Sequence, residues 1–432
     1  MDTPETGRRP VYVVDGSRTP FLKARGRPGP FSPVDLAVAA GRPLLLRQPF
    51  APDEIDEVIL GCVAPAADEV NPARVAALRL GCGERVTAWT VQRNCASGLQ
   101  SVDTAYRYIA DRRADLILAG GTEALSHSPI LFSDRMVEWL ADLNMARGVP
   151  AKLRAAVKFR PGFLAPVIGL AKGLTDPVVN LNMGQTAEVL ADKFKIGREE
   201  MDAYALESHR RTARAQEAGH MPEVEAAYDT RGKHYEKDDG VRPDNSMEAL
   251  GKLRPVFERP FGTVTPGNSS QITDGAAWLI LASEDAVKRH GLTPIGRVAD
   301  SAWSALDPGQ MGLGPVHAVT PILRRHGFAL GDIDAWEINE AFAAQVLACL
   351  AAWEDDGYCR EQLGLDRALG PLDRDRLNVD GGAIAIGHPV GSSGARIALH
   401  VLHVLKRNNG KRGIATLCIG GGQGGALLME AA

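Results

Sequence analysis

Cysteine is scarce in this sequence. Six residues in 432 (Cys62, Cys82, Cys95, Cys349, Cys359 and Cys418) stand singly, and none forms a CxxC pair. Thiols scattered in this way exclude a disulfide framework, and without a histidine-rich cluster they give no zinc-ligand spacing, so no metal is expected. Charge of one sign is also missing, with 49 Lys and Arg against 53 Asp and Glu and a formal net charge of −4. No basic field attracts a phosphate backbone, which removes nucleic acid from the candidate partners and leaves any anionic ligand to local geometry. Long hydrophobic runs are lacking too. The longest, Ala341 to Trp353, is interrupted by Gln345 and is too short for a membrane span, so it reads as a buried core helix. With no apolar segment near the amino terminus, the expectation is a soluble protein of a reducing cytoplasm.

What remains is an ordinary globular composition, 45% hydrophobic and 24% charged, on a chain long enough for two or three domains. Short β-rich runs alternate with helical patterns. Val11 to Val14, Val58 to Leu60 and Leu116 to Ala119 read as strands, with helices over Pro33 to Leu46 and Asn71 to Leu80. The same grammar returns late, with strands over Ala335 to Ile338 and Ile414 to Cys418 and helices over Ala341 to Trp353 and Ala395 to Lys406. Such alternation predicts an α/β sheet core. In each half a loop carrying a special residue feeds a helix, and a strand closes by running into glycines, Gly120-Gly121 and Gly420-Gly421-Gly422. A duplicated core would bring these loops together at the seam between halves, where ligand crevices form at strand ends. Between the halves, Ser126 to Phe261 loosens into Pro- and Gly-punctuated, charged segments, with helices over Gly184 to Lys195 and Arg198 to Ala218. Within it, Arg147, Lys152, Arg154, Lys158 and Arg160 interleave with apolar residues, a texture that fits a solvated helix face first and a membrane or partner contact second.

Four residues stand out chemically. Cys95, after the strand-like Trp89-Thr90-Val91, lies at the amino end of a helix reaching Ile109, where unpaired N–H groups and the dipole favour a thiolate. Alone it is equally a small cysteine filling a core gap. His388, in Gly387-His388-Pro389, is a titratable ring among small residues on a loop, placed to serve as a base or as a satisfied structural histidine. Cys418 ends an apolar strand beside Gly420 and its neighbours, whose exposed amides can form an oxyanion hole. Asn339, after the strand at Ile338, can hold a water or an oxyanion donor, or simply cap the helix that follows. The loop at Gly267 has no Walker spacing, although its Ser270 can touch a ligand.

Taken jointly, these stretches resemble the thiolase family, the acyl-CoA:acetyl-CoA acyltransferases. Its markers occur in family order: Val14 to Phe21, the segment around Cys95, Met183-Gly184-Gln185-Thr186-Ala187-Glu188, the Gly267 loop, Asn339-Glu340-Ala341-Phe342, Gly387-His388-Pro389 and Cys418-Ile419-Gly420. The resemblance implies a duplicated five-layer αβαβα core. One half would span 1–125 completed by 262–290, an inserted loop domain 126–261, and the second half 291–432. It implies Cys95 as acylated nucleophile and His388 as the group activating Cys95 and then the thiol of CoA. Cys418 would move the proton at the α-carbon of acetyl-CoA. Asn339 with His388 would hold a water in one oxyanion hole, and the N–H groups of Cys95 and Gly420 would form the other.

Coenzyme A is then a co-substrate, contacted by Ser270 and Met183, and no tightly bound cofactor is expected. Implied partners are acyl-CoA and CoA, a second copy in a homodimer or dimer of dimers, and a hydratase/dehydrogenase subunit of a β-oxidation complex, with peripheral membrane contact through the insertion. Asn182 stands where acetoacetyl-CoA-preferring members commonly have His, and the insertion with Lys252 to Phe257 is similar to the thiolase subunit of the fatty-acid oxidation trifunctional complex. The expected activity is CoA-dependent cleavage of 3-ketoacyl-CoA. Against it stand a biosynthetic acetoacetyl-CoA thiolase, a decarboxylating ketoacyl synthase, which retained Cys418 disfavours, and a non-catalytic lipid-binding protein of the same fold.

Overall fold

The structure, a computed structural model, describes residues 9–432, so the first residues of the amino-terminal half lie outside the described part. Ten strands form one mixed sheet. From its middle outward on one side, Val11–Arg18 pairs antiparallel with Thr273–Ser283, which pairs antiparallel with Leu116–Ala124; Glu57–Gly61 and then Thr87–Val91 follow in parallel. On the other side, Gly296–Ala305 pairs antiparallel with Gln423–Ala431, then with Arg412–Ile419, after which Ala335–Ile338 is parallel and Leu377 adds a parallel bridge to Trp336. The second side repeats the first strand for strand. The two meet where Val11–Val13 pairs with Gly296–Val298.

The helices make the layers. Ser97–Ala110 and Val390–Asn408 lie between the two sides: Leu99, Val102, Ile397 and Leu402 share one apolar cluster with Ile117 and Leu279 of one side and Leu417 and Met429 of the other. Pro33–Leu46 and Pro72–Arg79 cover one outer face, and Gly314–His326 and Ala343–Glu354 the other. Helix, sheet, helix, sheet and helix are the five layers expected from the resemblance.

Several elements differ in their bounds from the sequence reading, two of them for a packing reason. The second central helix begins at Val390 rather than Ala395, because Gly391 and Gly394 serve close packing and not a turn: a Cβ on Gly98 would stand 2.7 Å from the Gly391 oxygen, and one on Gly394 2.4 Å from the Leu99 nitrogen. Leu116–Ala124 continues through Gly120-Gly121, whose missing side chains admit Ala277 and Gly391. Finally, the helix read from Ala341 starts at Ala343.

Between Leu125 and Thr273, Met183–Lys193 opens with a capping box in which Asn182 and Gln185 exchange hydrogen bonds at 3.0 Å. Leu190, Met201 and Ala205, the latter two on Arg198–Glu217, join the outer apolar cluster of the second half. The preceding helices, Asp134–Met145 and Val149–Val157, leave Met145, Leu153 and Val157 exposed. Among the described residues no helix is long and apolar enough to cross a membrane.

Candidate active site

Cys95 sits in a tight turn between Thr87–Val91 and the first central helix. Asn94 takes φ 44°, and Ser97 Oγ accepts the Arg93 N–H at 2.9 Å while donating to the Asn94 carbonyl at 2.7 Å. Asn94 Nδ2 donates to the Gly420 carbonyl at 2.8 Å, fastening the turn to the loop beyond Arg412–Ile419. That loop needs glycine: Gly421 and Gly422 have φ 92° and 73°, and a Cβ on Gly422 would meet the Leu306 carbonyl at 2.2 Å. The outcome is that the Gly420 N–H and the Cys95 N–H both serve the Cys95 sulfur.

The expected thiolate is not the resting form. Burial pushes the Cys95 thiol up and outweighs these two backbone donors, so at neutral pH the sulfur keeps its proton. Cys418, near the end of Arg412–Ile419, is buried, and burial together with the charges of Cys95 and Cys349 pushes its thiol well above the usual range. Cys349 and Cys359 are buried thiols.

His388 is buried just before the second central helix. Its N–H donates to the Gln271 carbonyl at 3.0 Å, and Gly387 before it has φ 99° with Thr273 Cγ2 at 2.1 Å from its absent Cβ. Ser393 Oγ lies 2.6 Å from Nδ1 and donates to the Pro389 carbonyl at 3.2 Å. With its only proton so committed, the hydroxyl accepts Nδ1–H, which assigns the lone pair to Nε2 from the hydrogen-bond network. Asn339 Nδ2 approaches that Nε2 at 3.5 Å, and Asn339 Oδ1 is buried without a partner, the arrangement a bridging water would complete. Burial, with Arg396 nearby, lowers His388 to about 4, so the imidazole is neutral at pH 7 and able to accept a proton.

Asn339 is not a helix cap. Phe342 occupies that position, with φ −145°, and the short stretch from Asn339 to Ala341 is held instead by the Ser270 N–H donating to Ala341 at 2.9 Å and the Ala343 N–H donating to Asn268 at 2.9 Å. Ser270 therefore lies beside the site, one residue before the carbonyl that holds His388. Met183 reaches it from the insertion, its sulfur 3.2 Å from where a Cβ on Gly420 would stand.

Sequence reasoning missed three supports. Ser393 fixes the His388 tautomer. Glu340 is buried and accepts hydrogen bonds from Tyr204, Ser208, Asn378 and the Ile384 N–H, locking the insertion over Asn339. Glu123 accepts the N–H groups of Val63 and Gly391 across the seam. Neither carboxylate carries a local signal, since Glu123 follows Gly120-Gly121-Thr122 and Glu340 follows Asn339. A cavity of about 830 Å³ between Arg297, Lys406 and Arg412 contains none of the predicted site residues.

A duplicated α/β core with one half-buried and one buried thiol, a neutral imidazole and glycine-exposed amides at its seam defines an acyltransferase that works through cysteine thioesters. The chain belongs to the thiolase family: the N-terminal thiolase domain matches residues 11–285 and the C-terminal thiolase domain residues 292–431. It is 40% identical to the mitochondrial 3-ketoacyl-CoA thiolase of Rattus norvegicus over 98% of both chains. It is 41% identical to the beta-ketoadipyl-CoA thiolase of Pseudomonas aeruginosa, over 98% of this chain and 99% of that one. The mitochondrial trifunctional enzyme subunit beta of Rattus norvegicus is 36% identical over 98% of this chain and 88% of its own. Human mitochondrial 3-ketoacyl-CoA thiolase, solved in complex with CoA, superposes with a TM-score of 0.83 at 38% identity, covering 98% of each chain. Bacillus anthracis acetyl-CoA acetyltransferase gives 0.84 at 35%, over 99% of this chain and 100% of that one.

Proposed function

We propose that this thiolase cleaves 3-ketoacyl-CoA with free CoA in fatty-acid β-oxidation, through an acyl-Cys95 intermediate. The observation that carries the proposal is the Cys95 sulfur facing the Gly420 N–H, with the charge of Cys95 acting on Cys418 at the end of the strand before that loop, in a core whose other half holds a neutral His388. As the sulfur attacks the 3-keto carbon, its proton passes to His388 Nε2, and the developing oxyanion takes the N–H groups of Cys95 and Gly420. The C2–C3 bond then breaks. Its electron pair becomes the enolate of acetyl-CoA, whose oxygen is stabilised by a water held by Asn339 and His388. Cys418, a thiol at rest because its pKa is high, donates the proton to C2. His388 returns a proton to Cys418, takes one from the thiol of CoA, and gives it to the Cys95 sulfur as acyl-CoA leaves.

Ser270 and Met183 border this site and are assigned contacts with the CoA or acyl part. Asn182 and the large insertion favour medium or long acyl chains. Residues 1–125 with 262–290, 126–261 and 291–432 are taken as the two halves and the loop domain. The protein acts in the cytoplasm as a homodimer or dimer of dimers, with a hydratase/dehydrogenase subunit as its partner. Exposed Met145, Leu153 and Val157 beside Arg147, Lys152 and Arg154 make the insertion the surface for peripheral membrane contact, tested by flotation with anionic vesicles.

The deciding assay follows loss of 3-ketoacyl-CoA with and without free CoA. Turnover that requires CoA and yields acetyl-CoA supports thiolysis. CoA-independent release of carbon dioxide from a malonyl thioester would mean a decarboxylating synthase, and binding without turnover a lipid carrier.

A further inference from the structure

Glu123 has no part in the steps above, yet its fully buried carboxylate lies at the seam near the end of Leu116–Ala124. Oε2 accepts the N–H of Val63 at 3.0 Å and that of Gly391 at 3.0 Å; Oε1 accepts the N–H of Ala64 at 2.9 Å and lies 3.8 Å from Cys62 Sγ. Val63 and Ala64 belong to the loop leaving Glu57–Gly61 in one half, whereas Gly391 is in the first turn of the His388 helix in the other. One carboxylate ties the halves together beside His388. It also does the work of a cap, because Pro389 at the head of that helix makes no side-chain cap bond. The tie has a counterpart. Gly420, just beyond the equivalent strand of the second half, receives Asn94 at the start of the first central helix. Among the described residues no cation pairs with Glu123. The titratable groups facing it are Cys62 from the loop and Cys95 from the nucleophile turn.

We propose that Glu123 is a positioning residue, whose ionised carboxylate fixes the first turn of the Val390–Asn408 helix and thereby the aim of His388 Nε2. This rests on His388 being the base of thiolysis. Both oxygens are already filled by donors, so a proton on either one sets a donor against a donor and releases one leg of the tie. Burial pushes Glu123 up to about 7 against the backbone donors that lower it, whereas His388 lies near 4. Activity is therefore lost on acidification through about pH 7, well above the pH at which the buried His388 ring takes a proton.

The test is acylation of Cys95 in single turnover across about pH 5 to 9, with steady-state thiolysis beside it. Wild type should show an acid limb centred within about one unit of pH 7. Glu123→Gln, which keeps size and one acceptor oxygen, should lower kcat at least about tenfold with KM changed less than about threefold, and should lose that limb. A Glu123→Gln protein with wild-type kcat, or one that retains the limb, overturns the proposal. Should the variant not fold, the wild-type profile decides, since absence of a limb between about pH 6 and 8 overturns it equally. His388→Asn separates the two layers of inference. If that variant acylates Cys95 at the wild-type rate, the assignment of the base fails, whereas if it is inactive and Glu123→Gln is not, only the role of Glu123 falls.

Discussion

Replacing His400 with leucine tests the charge network that holds the insertion to the central helix. His400 Nδ1 lies 2.9 Å from Glu223 and Nε2 3.1 Å from Asp380, with all three side chains buried. Burial pulls the imidazole pKa down, but the charge of Glu223 and the hydrogen bonds of Asp380 and Glu223 outweigh it and raise it from 6.5 to about 10. His400→Leu leaves Glu223 with Arg18 at 3.6 Å and Asp380 with Arg407 at 2.8 Å, each one cation short. Removing one partner from a buried ion pair costs about 3–5 kcal/mol. The pH dependence fixes the sign. The folded pKa lies above the unfolded value, so the contribution of His400 is complete below about pH 6.5, declines by about 1.4 kcal/mol per pH unit above it, and is gone above about pH 10. Urea unfolding of both proteins at about pH 6.5, 8 and 9.5 should show a stability gap of several kcal/mol that closes as pH rises. A gap below about 1 kcal/mol, or one equally large at the two ends, would refute the reasoning.

Cys95→Ser should abolish turnover without changing the melting temperature, since a hydroxyl gives up its proton to a base far less readily than a thiol and is the poorer nucleophile; mass spectrometry of quenched wild type should find the acyl group on the Cys95 peptide, and an adduct only at Cys418 would reverse the assignment. Cys418→Ala should still form that adduct but stop deuterium exchange into the methyl group of acetyl-CoA, and exchange at the wild-type rate would remove Cys418 as the α-carbon acid/base. Asn339→Ala should lower kcat by about 10²–10³ with little change in KM, a split that unchanged kcat would contradict. For chain length, kcat/KM should rise from about four to ten acyl carbons, each buried methylene contributing at most about 0.8 kcal/mol; a profile that peaks at acetoacetyl-CoA would place the protein on the biosynthetic side.

Much of this was legible in the chain, and what was not has a common cause. The helix Pro33–Leu46 carries its own boundaries, with Ser32 and Asp35 forming a capping box and proline in the first turn, so local chemistry suffices to place it. Ala335–Ile338, apolar but for Glu337 and bounded by Asp334 and Asn339, likewise has the ends its sequence suggests. The start of the His388 helix was not, because Val390 to Gly394 carries turn residues whose purpose is contact with Gly98 and Leu99, nearly three hundred residues away. The protonation state of Cys95 was misread for the same reason. A helix end argues locally for a thiolate, whereas burial by the second half argues for a thiol and prevails. Glu123 and Glu340 act through partners distant in sequence, and Ser393 through the ring of nearby His388, a contact that only the folded loop fixes.

Duplication explains why two dissimilar loops converge. In each half the chain leaves the outermost parallel pairing, runs through a loop into a central helix, and returns as the strand beside it: Thr87–Val91, Cys95, Ser97–Ala110 and Leu116–Ala124 in one, Leu377, His388, Val390–Asn408 and Arg412–Ile419 in the other. The strand end of each half then contacts the helix start of the opposite half, Glu123 with Gly391 and Gly420 with Asn94. Two equivalent positions have thus taken opposite tasks, a buried carboxylate that holds a helix and a glycine loop that presents amides to the Cys95 sulfur. Cys95 and His388 sit on different halves, so neither half alone contains the proposed site. Any loosening of the interface between the central helices should therefore impair acylation before it unfolds either sheet.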